Sequence, residues 1–73
     1  MAKIEVTSDV TGNVWKIQAK VGELLAEEDV IMILESMKME IPVEALVAGK
    51  LVELLVMEED RVDEDQVVAV IEN

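Results

Sequence analysis

The sequence predicts an all-β domain, a sandwich or barrel built from a duplicated four-strand unit, and three observations carry the prediction. Apolar residues recur with period two, short β-branched runs alternate with turn residues, and one half of the chain superimposes on the other without gaps. Taking the elements in order, Ile4–Thr7 is a short first strand. Val14–Val21 is the second, with Trp15, Ile17, Ala19 and Val21 alternating against Lys16, Gln18 and Lys20. That alternation places Trp15 on the apolar face as a core residue rather than a stacking platform for a ligand. The runs Val30–Leu34, Met39–Ala45, Leu51–Val56 and Val67–Ile71 are rich in Val and Ile and read as four more strands. Gly12-Asn13, Gly22-Glu23, Ala48-Gly49 and the acidic stretches Glu27–Asp29 and Glu58–Asp65 separate them. Val62 is the one expected buried anchor in the last of these.

A shift of 37 positions carries Gly12 onto Gly49, Ile4 onto Ile41, Val6 onto Val43, Val10 onto Val47, Glu27 onto Glu64, Val30 onto Val67 and Glu35 onto Glu72. Apolar strand positions coincide as well: Trp15 with Val52, Ile17 with Leu54, Leu25 with Val62, and Ile31–Leu34 with Val68–Ile71. The two halves should be related by a quasi-two-fold. Met1 then corresponds to Lys38 and Asn73 to Ser36, so the chain ends should meet at the symmetry mate of the segment Ser36–Met39, at the pole opposite Lys38.

Composition excludes much chemistry. The 73 residues suit one domain, 1–73; 52% are apolar, enough to fold despite 17 Asp and Glu against 6 Lys and Arg and a net charge of -11. With no Cys and no His, disulfides, zinc sites and Cys or His catalysis are excluded. A pI near 4.1 disfavours nucleic acid and anionic lipid as partners and favours basic protein surfaces. No apolar run approaches the ~20 residues that cross a bilayer, and no signal-like segment opens the chain, so the expected location is cytoplasmic and the expected state a monomer. The acidic stretch Glu58–Asp65 lacks the Gly and Glu spacing of a calcium loop and reads as a solvated turn.

The duplication breaks at Ser36-Met37-Lys38-Met39. Strands end near Leu34 and resume near Met39, so these residues must reverse the chain tightly, yet none is Gly, Asn, Asp or Pro. Local turn chemistry yielding to something else is a mark of a functional site. Most Met-Lys-Met triplets are a surface lysine between loosely packed core methionines. Here the position at the repeat break, in a turn without turn residues, points instead to Lys38 as a chemical handle.

The run Glu35-Ser36-Met37-Lys38-Met39 resembles the Glu-Ala/Ser-Met-Lys-Met motif of biotin carboxyl carrier domains, and Lys38 matches the lysine that is biotinylated. Gly12, Gly49, the turn Val21-Gly22-Glu23 and the Ile33-Leu34-Glu35 run fall at that family's spacing, over essentially the whole chain. The small stand-alone biotin/lipoyl attachment proteins of bacteria look most similar. The resemblance implies a flattened barrel of two four-stranded antiparallel sheets with Lys38 on an exposed hairpin. It implies biotin as an amide on Lys38, Met37 and Met39 as residues read by ligase and carboxylase, and Glu35 and Ser36 as the motif flank. The implied partners are a biotin protein ligase and the biotin carboxylase and carboxyltransferase components, with no catalysis by the chain itself. The related lipoyl domains typically carry Asp-Lys-Ala at the hairpin, so the methionines favour biotin. No insertion matches the thumb loop of some carriers and no Pro/Ala-rich linker precedes Ile4, which implies a minimal, free-standing carrier. The family often has glycine where this chain has Glu28, Glu59 and Asp65, so either these turns hold a Cβ at positive φ under strain or they follow another path.

Three other readings are distinguishable. A lipoyl carrier would share the fold, and an unmodified acidic interaction module would use Met37 and Met39 as an apolar anchor. An acyl carrier protein, faintly suggested by Glu35-Ser36-Met37, would be helical, against the period-two strands.

Overall fold

The computed structural model describes residues 2–73; Met1, and with it the expected match of Met1 to Lys38, lies outside them. Eight strands follow one another: β1 (Lys3–Thr7), β2 (Gly12–Ile17), β3 (Leu24–Leu25), β4 (Val30–Ser36), β5 (Met39–Glu44), β6 (Gly49–Leu54), β7 (Arg61–Val62) and β8 (Val67–Glu72). They form two four-stranded antiparallel sheets, in the orders β1-β8-β6-β3 and β5-β4-β2-β7. The 37-residue shift converts one order into the other strand by strand. Each sheet therefore contains strands from both halves of the sequence, and neither half closes without the other.

The symmetry extends to individual irregularities. Opposite Leu34 and Ile33, β2 presents Val14 and Lys16, leaving Trp15 as an extra residue; opposite Ile71 and Val70, β6 presents Leu51 and Glu53, leaving Val52. Likewise Ile31 is the extra residue of β4 against Glu44 and Val43, as Val68 is of β8 against Thr7 and Val6. A bulge shifts the two-residue period by one. Trp15 is consequently 49% exposed, and Val14 takes the buried position. The expectation of Trp15 in the core is thus corrected: alternation places Ile17 and Ala19 properly but cannot register an inserted residue. The same strand also stops at Ile17, and Val21 is exposed rather than part of it.

The core between the sheets is composed of symmetry-related partners: Ile31 with Val68, Leu34 with Ile71, Val14 with Leu51, Val6 with Val43, and Leu25 with Val62, all buried. Met32 against Ala69 balances a large side chain with a small one. Ser8, whose counterpart is Ala45, is the buried polar residue among those described, and its hydroxyl donates to the Val10 carbonyl at 2.6 Å.

Four turns share one construction. The side chains of Glu23, Asp29, Asp60 and Gln66 accept from the backbone N–H three residues earlier, at Lys20, Ala26, Met57 and Asp63, over 2.9–3.0 Å. The third residue of each turn is left-handed: Gly22 (φ 98°), Glu28 (76°), Glu59 (77°) and Asp65 (70°). The acidic stretches are therefore turn-forming, with the carboxylates of Asp29, Glu58 and Asp60 engaged by backbone donors, and of the two alternatives the structure shows the strained one, positive φ at all three non-glycine positions. Gly22 and Glu59 are symmetry mates, and their amides donate to Leu51 O and Val14 O at 2.7 Å each. A Cβ in this region costs about 1–2 kcal/mol, partly offset by the greater chain entropy that glycine loses on folding. Glu59→Gly should accordingly raise the urea unfolding free energy by about 0.5–1 kcal/mol, whereas Gly22→Ala should lower it; a destabilised Glu59→Gly protein would show that the turn carries no strain.

Candidate modification site

β4 and β5 meet in a two-residue hairpin closed by the Ser36–Met39 pair. Its central residues, Met37 (φ 52°) and Lys38 (φ 65°), are both left-handed. That is the signature of a type I′ turn, whose twist suits a two-residue hairpin and which normally takes Asn-Gly. Met37-Lys38 holds this conformation against a steric cost of about 1–2 kcal/mol per residue. The flanking sheet imposes it, because Glu35 pairs with Glu40 and Leu34 with Ile41 immediately below the tip.

Two further contacts brace the hairpin from the β1–β2 connection. Ser36 Oγ donates to Thr11 O at 2.8 Å. Next to it, the backbone of Gly12 lies so close to Glu35 that a Cβ on Gly12 would collide with the Glu35 carbonyl. Gly49, its symmetry mate, stands in the same relation to Glu72, where an added Cβ would come within 2.7 Å of the carbonyl oxygen. Thr11 and Gly12 as supports of the site are not apparent in the motif itself; the repeat of Gly12 at Gly49 is the one sequence signal of that close approach.

Lys38 is exposed at the tip. Met37 is 91% and Met39 63% exposed, so neither methionine packs into the core. Apolar side chains of this size contribute stability only when buried, and here they lie in water on either side of the amine. An acyl arm on Lys38 Nζ would extend from an exposed two-residue tip with exposed neighbours, and the site fits such a group.

The face below the tip differs in charge from its counterpart. Arg61, Asn13, Glu35 and Glu40 form one cross-strand row, and the equivalent row in the other sheet is Leu24, Lys50, Glu72 and Lys3. In the second row a carboxylate stands between two cations. In the first, two carboxylates are direct cross-strand neighbours, an arrangement that costs stability. Trp15 and Glu59 border a shallow hollow beside this row, with Asn13, Val14 and Glu35.

The chain ends occupy the matching place at the far pole. Ala2 and Asn73 exchange backbone hydrogen bonds at 3.2 and 3.0 Å, as Ser36 and Met39 pair in the hairpin. β1 carries the chain away from that pair towards Thr11 at the hairpin, in a molecule 36 Å long and 18 Å wide. The described ends thus lie opposite Lys38, as the duplication requires.

A β scaffold that presents one solvated lysine on a braced hairpin has the form of a carrier domain. Residues 4–71 match the family model for the biotin/lipoyl attachment domain, described as "Biotin-requiring enzyme". The chain belongs to this family. It is 38% identical over 68 residues to the biotin/lipoyl attachment protein of Bacillus subtilis, covering 93% of each chain. It is 36% identical to the biotinylated protein TB7.3 homolog of Mycobacterium leprae, covering 92% of this chain and 94% of that one. The crystal structure of Kluyveromyces lactis urea carboxylase contains a similar fold, with a TM-score of 0.93 at 35% identity over 99% of this chain; the chain spans only 6% of that enzyme.

Proposed function

We propose that this chain is a biotin carboxyl carrier, that residues 1–73 act as one carrier unit, and that Lys38 is the residue a biotin ligase modifies. The observation that carries the reading is the exposed Lys38 between two exposed methionines at the hairpin tip. The methionines at 37 and 39 stand where the related lipoyl domains typically carry Asp and Ala, which favours biotin over lipoate, and their exposure leaves them available to be read by ligase and carboxylase. Glu35 and Ser36 position the tip: one contributes the backbone carbonyl that seats against Gly12, the other the hydroxyl bound to Thr11.

Joining an acyl group to Lys38 Nζ requires the neutral amine and an activated carboxyl, and the ligase supplies both the activation and the proton acceptor. The chain's own part is presentation. Attached biotin supplies a ureido nitrogen that accepts and releases a carboxyl group. The tether raises its effective concentration at successive partner sites, here those of the biotin carboxylase and carboxyltransferase components. The excess of negative charge steers the carrier to basic partner surfaces, and that attraction weakens with salt.

Incubation with biotin ligase, ATP and biotin should add one biotin by intact mass, and incubation with lipoate and a lipoate ligase should add nothing. The reverse pattern would establish the lipoyl reading. Met37→Ala should slow biotin addition several-fold while changing the urea unfolding free energy by no more than about 0.5 kcal/mol, the range for surface substitutions. A stability loss of 2–5 kcal/mol, as for a truncated core methionine, would contradict it.

A further inference from the structure

We propose that Met37 and Met39 are a reversible oxidation site for peroxides, through which oxidation of the tip withdraws Lys38 from its ligase. The inference rests on the reading of Lys38 as the attachment residue. Its structural basis is the distribution of sulfur. Met32 is 0% exposed and lies in the core, whereas Met37, Met39 and Met57 are 91%, 63% and 70% exposed. With no Cys in the chain, thioethers are its only sulfur, and two of them flank the lysine that must be recognised.

The chemistry balances with peroxide as oxidant. The sulfur lone pair attacks one peroxide oxygen, the O–O bond breaks, the S–O bond forms, and the departing hydroxide takes the proton of the new S–OH group to leave as water. The sulfur gives up two electrons and the peroxide accepts them. The product replaces a flexible apolar side chain with a polar, chiral one, and methionine sulfoxide reductases of the two epimer classes reverse it with thiols. Because Met37 and Met39 contribute nothing to the core, the fold survives the change. A surface that reads two apolar side chains beside an amine then meets two dipoles. Burying an apolar side chain of this size contributes about 1.5–3 kcal/mol, and losing the lower figure slows recognition about ten-fold.

Met57 provides the internal control. It is as accessible as Met39 but begins the turn that Asp60 closes and is not part of the hairpin. Oxidation there should leave Lys38 fully competent.

The test is to treat the unmodified protein with hydrogen peroxide, remove the excess with catalase, locate sulfoxides by peptide mass, and measure the rate of biotin addition by ligase. Sulfoxide is expected at Met37, Met39 and Met57 but not Met32, with labelling slowed ten-fold or more and an unchanged circular dichroism spectrum. Treatment with both reductases and dithiothreitol should restore the rate. The Met37→Leu/Met39→Leu protein, whatever its untreated rate, should label equally fast before and after peroxide, and Met57→Leu should remain sensitive. Undiminished labelling of the oxidised wild type, or equal inhibition of the double leucine variant, would overturn the proposal while leaving Lys38 as the attachment residue. Failure of untreated protein to accept biotin would overturn both.

Discussion

Lys38→Arg is expected to abolish biotin incorporation completely while leaving the unfolding free energy within about 0.5 kcal/mol of wild type. The side chain is solvated at a hairpin tip, so removing it exposes no cavity and breaks no core contact. Arginine keeps the positive charge but has no amine that can be deprotonated and acylated at neutral pH. Lys3 and Lys50 lie in strands, and Lys16 and Lys20 lie in or just beyond β2, none on a hairpin tip between exposed methionines. Intact mass after exhaustive incubation with ligase gives the answer directly. Any residual single labelling of Lys38→Arg would move the site to another lysine and remove the functional reading of the hairpin.

The second large effect is on stability, and the duplication makes it diagnostic. Gly12→Ala and Gly49→Ala each force a Cβ against a backbone carbonyl, that of Glu35 or Glu72, which cannot rotate away as a side chain could. Overpacking of this kind costs about 1–3 kcal/mol, so both variants should unfold at lower urea concentration by comparable amounts. They should differ in function. Gly12 presses on the strand end that carries the hairpin, whereas Gly49 presses on the end that pairs with Ala2. Under conditions where both remain folded, Gly12→Ala should slow labelling of Lys38 several-fold and Gly49→Ala should not. Equal labelling rates would show that the brace has no role in presenting the lysine.

Much of this architecture is legible in the sequence because a buried sheet face imposes a two-residue period and because duplication repeats it. The central strands and their pairing by a constant shift follow from Ile31–Leu34 lying over Val68–Ile71. What escapes is what has no period. β3 and β7 are two residues long and cannot show alternation, although the match of Leu25 with Val62 marks their buried positions. The bulge at Trp15 escapes because one inserted residue looks, from within the strand, like continued alternation. At the candidate site, the interruption of the repeat marks the hairpin and the motif draws attention to the lysine at its tip. The left-handed pair Met37-Lys38 is not inferable from turn preferences, which those residues contradict. The brace from Thr11 is invisible too, since the contact joins residues 25 positions apart.

The quasi-two-fold leaves a partner with a problem of direction. Approached from either end, the molecule offers a nearly equivalent backbone: a pair of antiparallel strand ends, a glycine seated on a neighbouring carbonyl, and a bulge at the same depth. Shape alone would let an enzyme engage the wrong pole as readily as the right one. The two cross-strand rows differ in charge, two cations and one carboxylate in Lys50, Glu72 and Lys3 near the chain ends against one cation and two carboxylates in Arg61, Asn13, Glu35 and Glu40 beneath the hairpin. On the carrier reading proposed above, the mismatch of carboxylates at Glu35 and Glu40 is then a compass mark: a small loss of stability that would tell an approaching basic surface which way up the carrier lies.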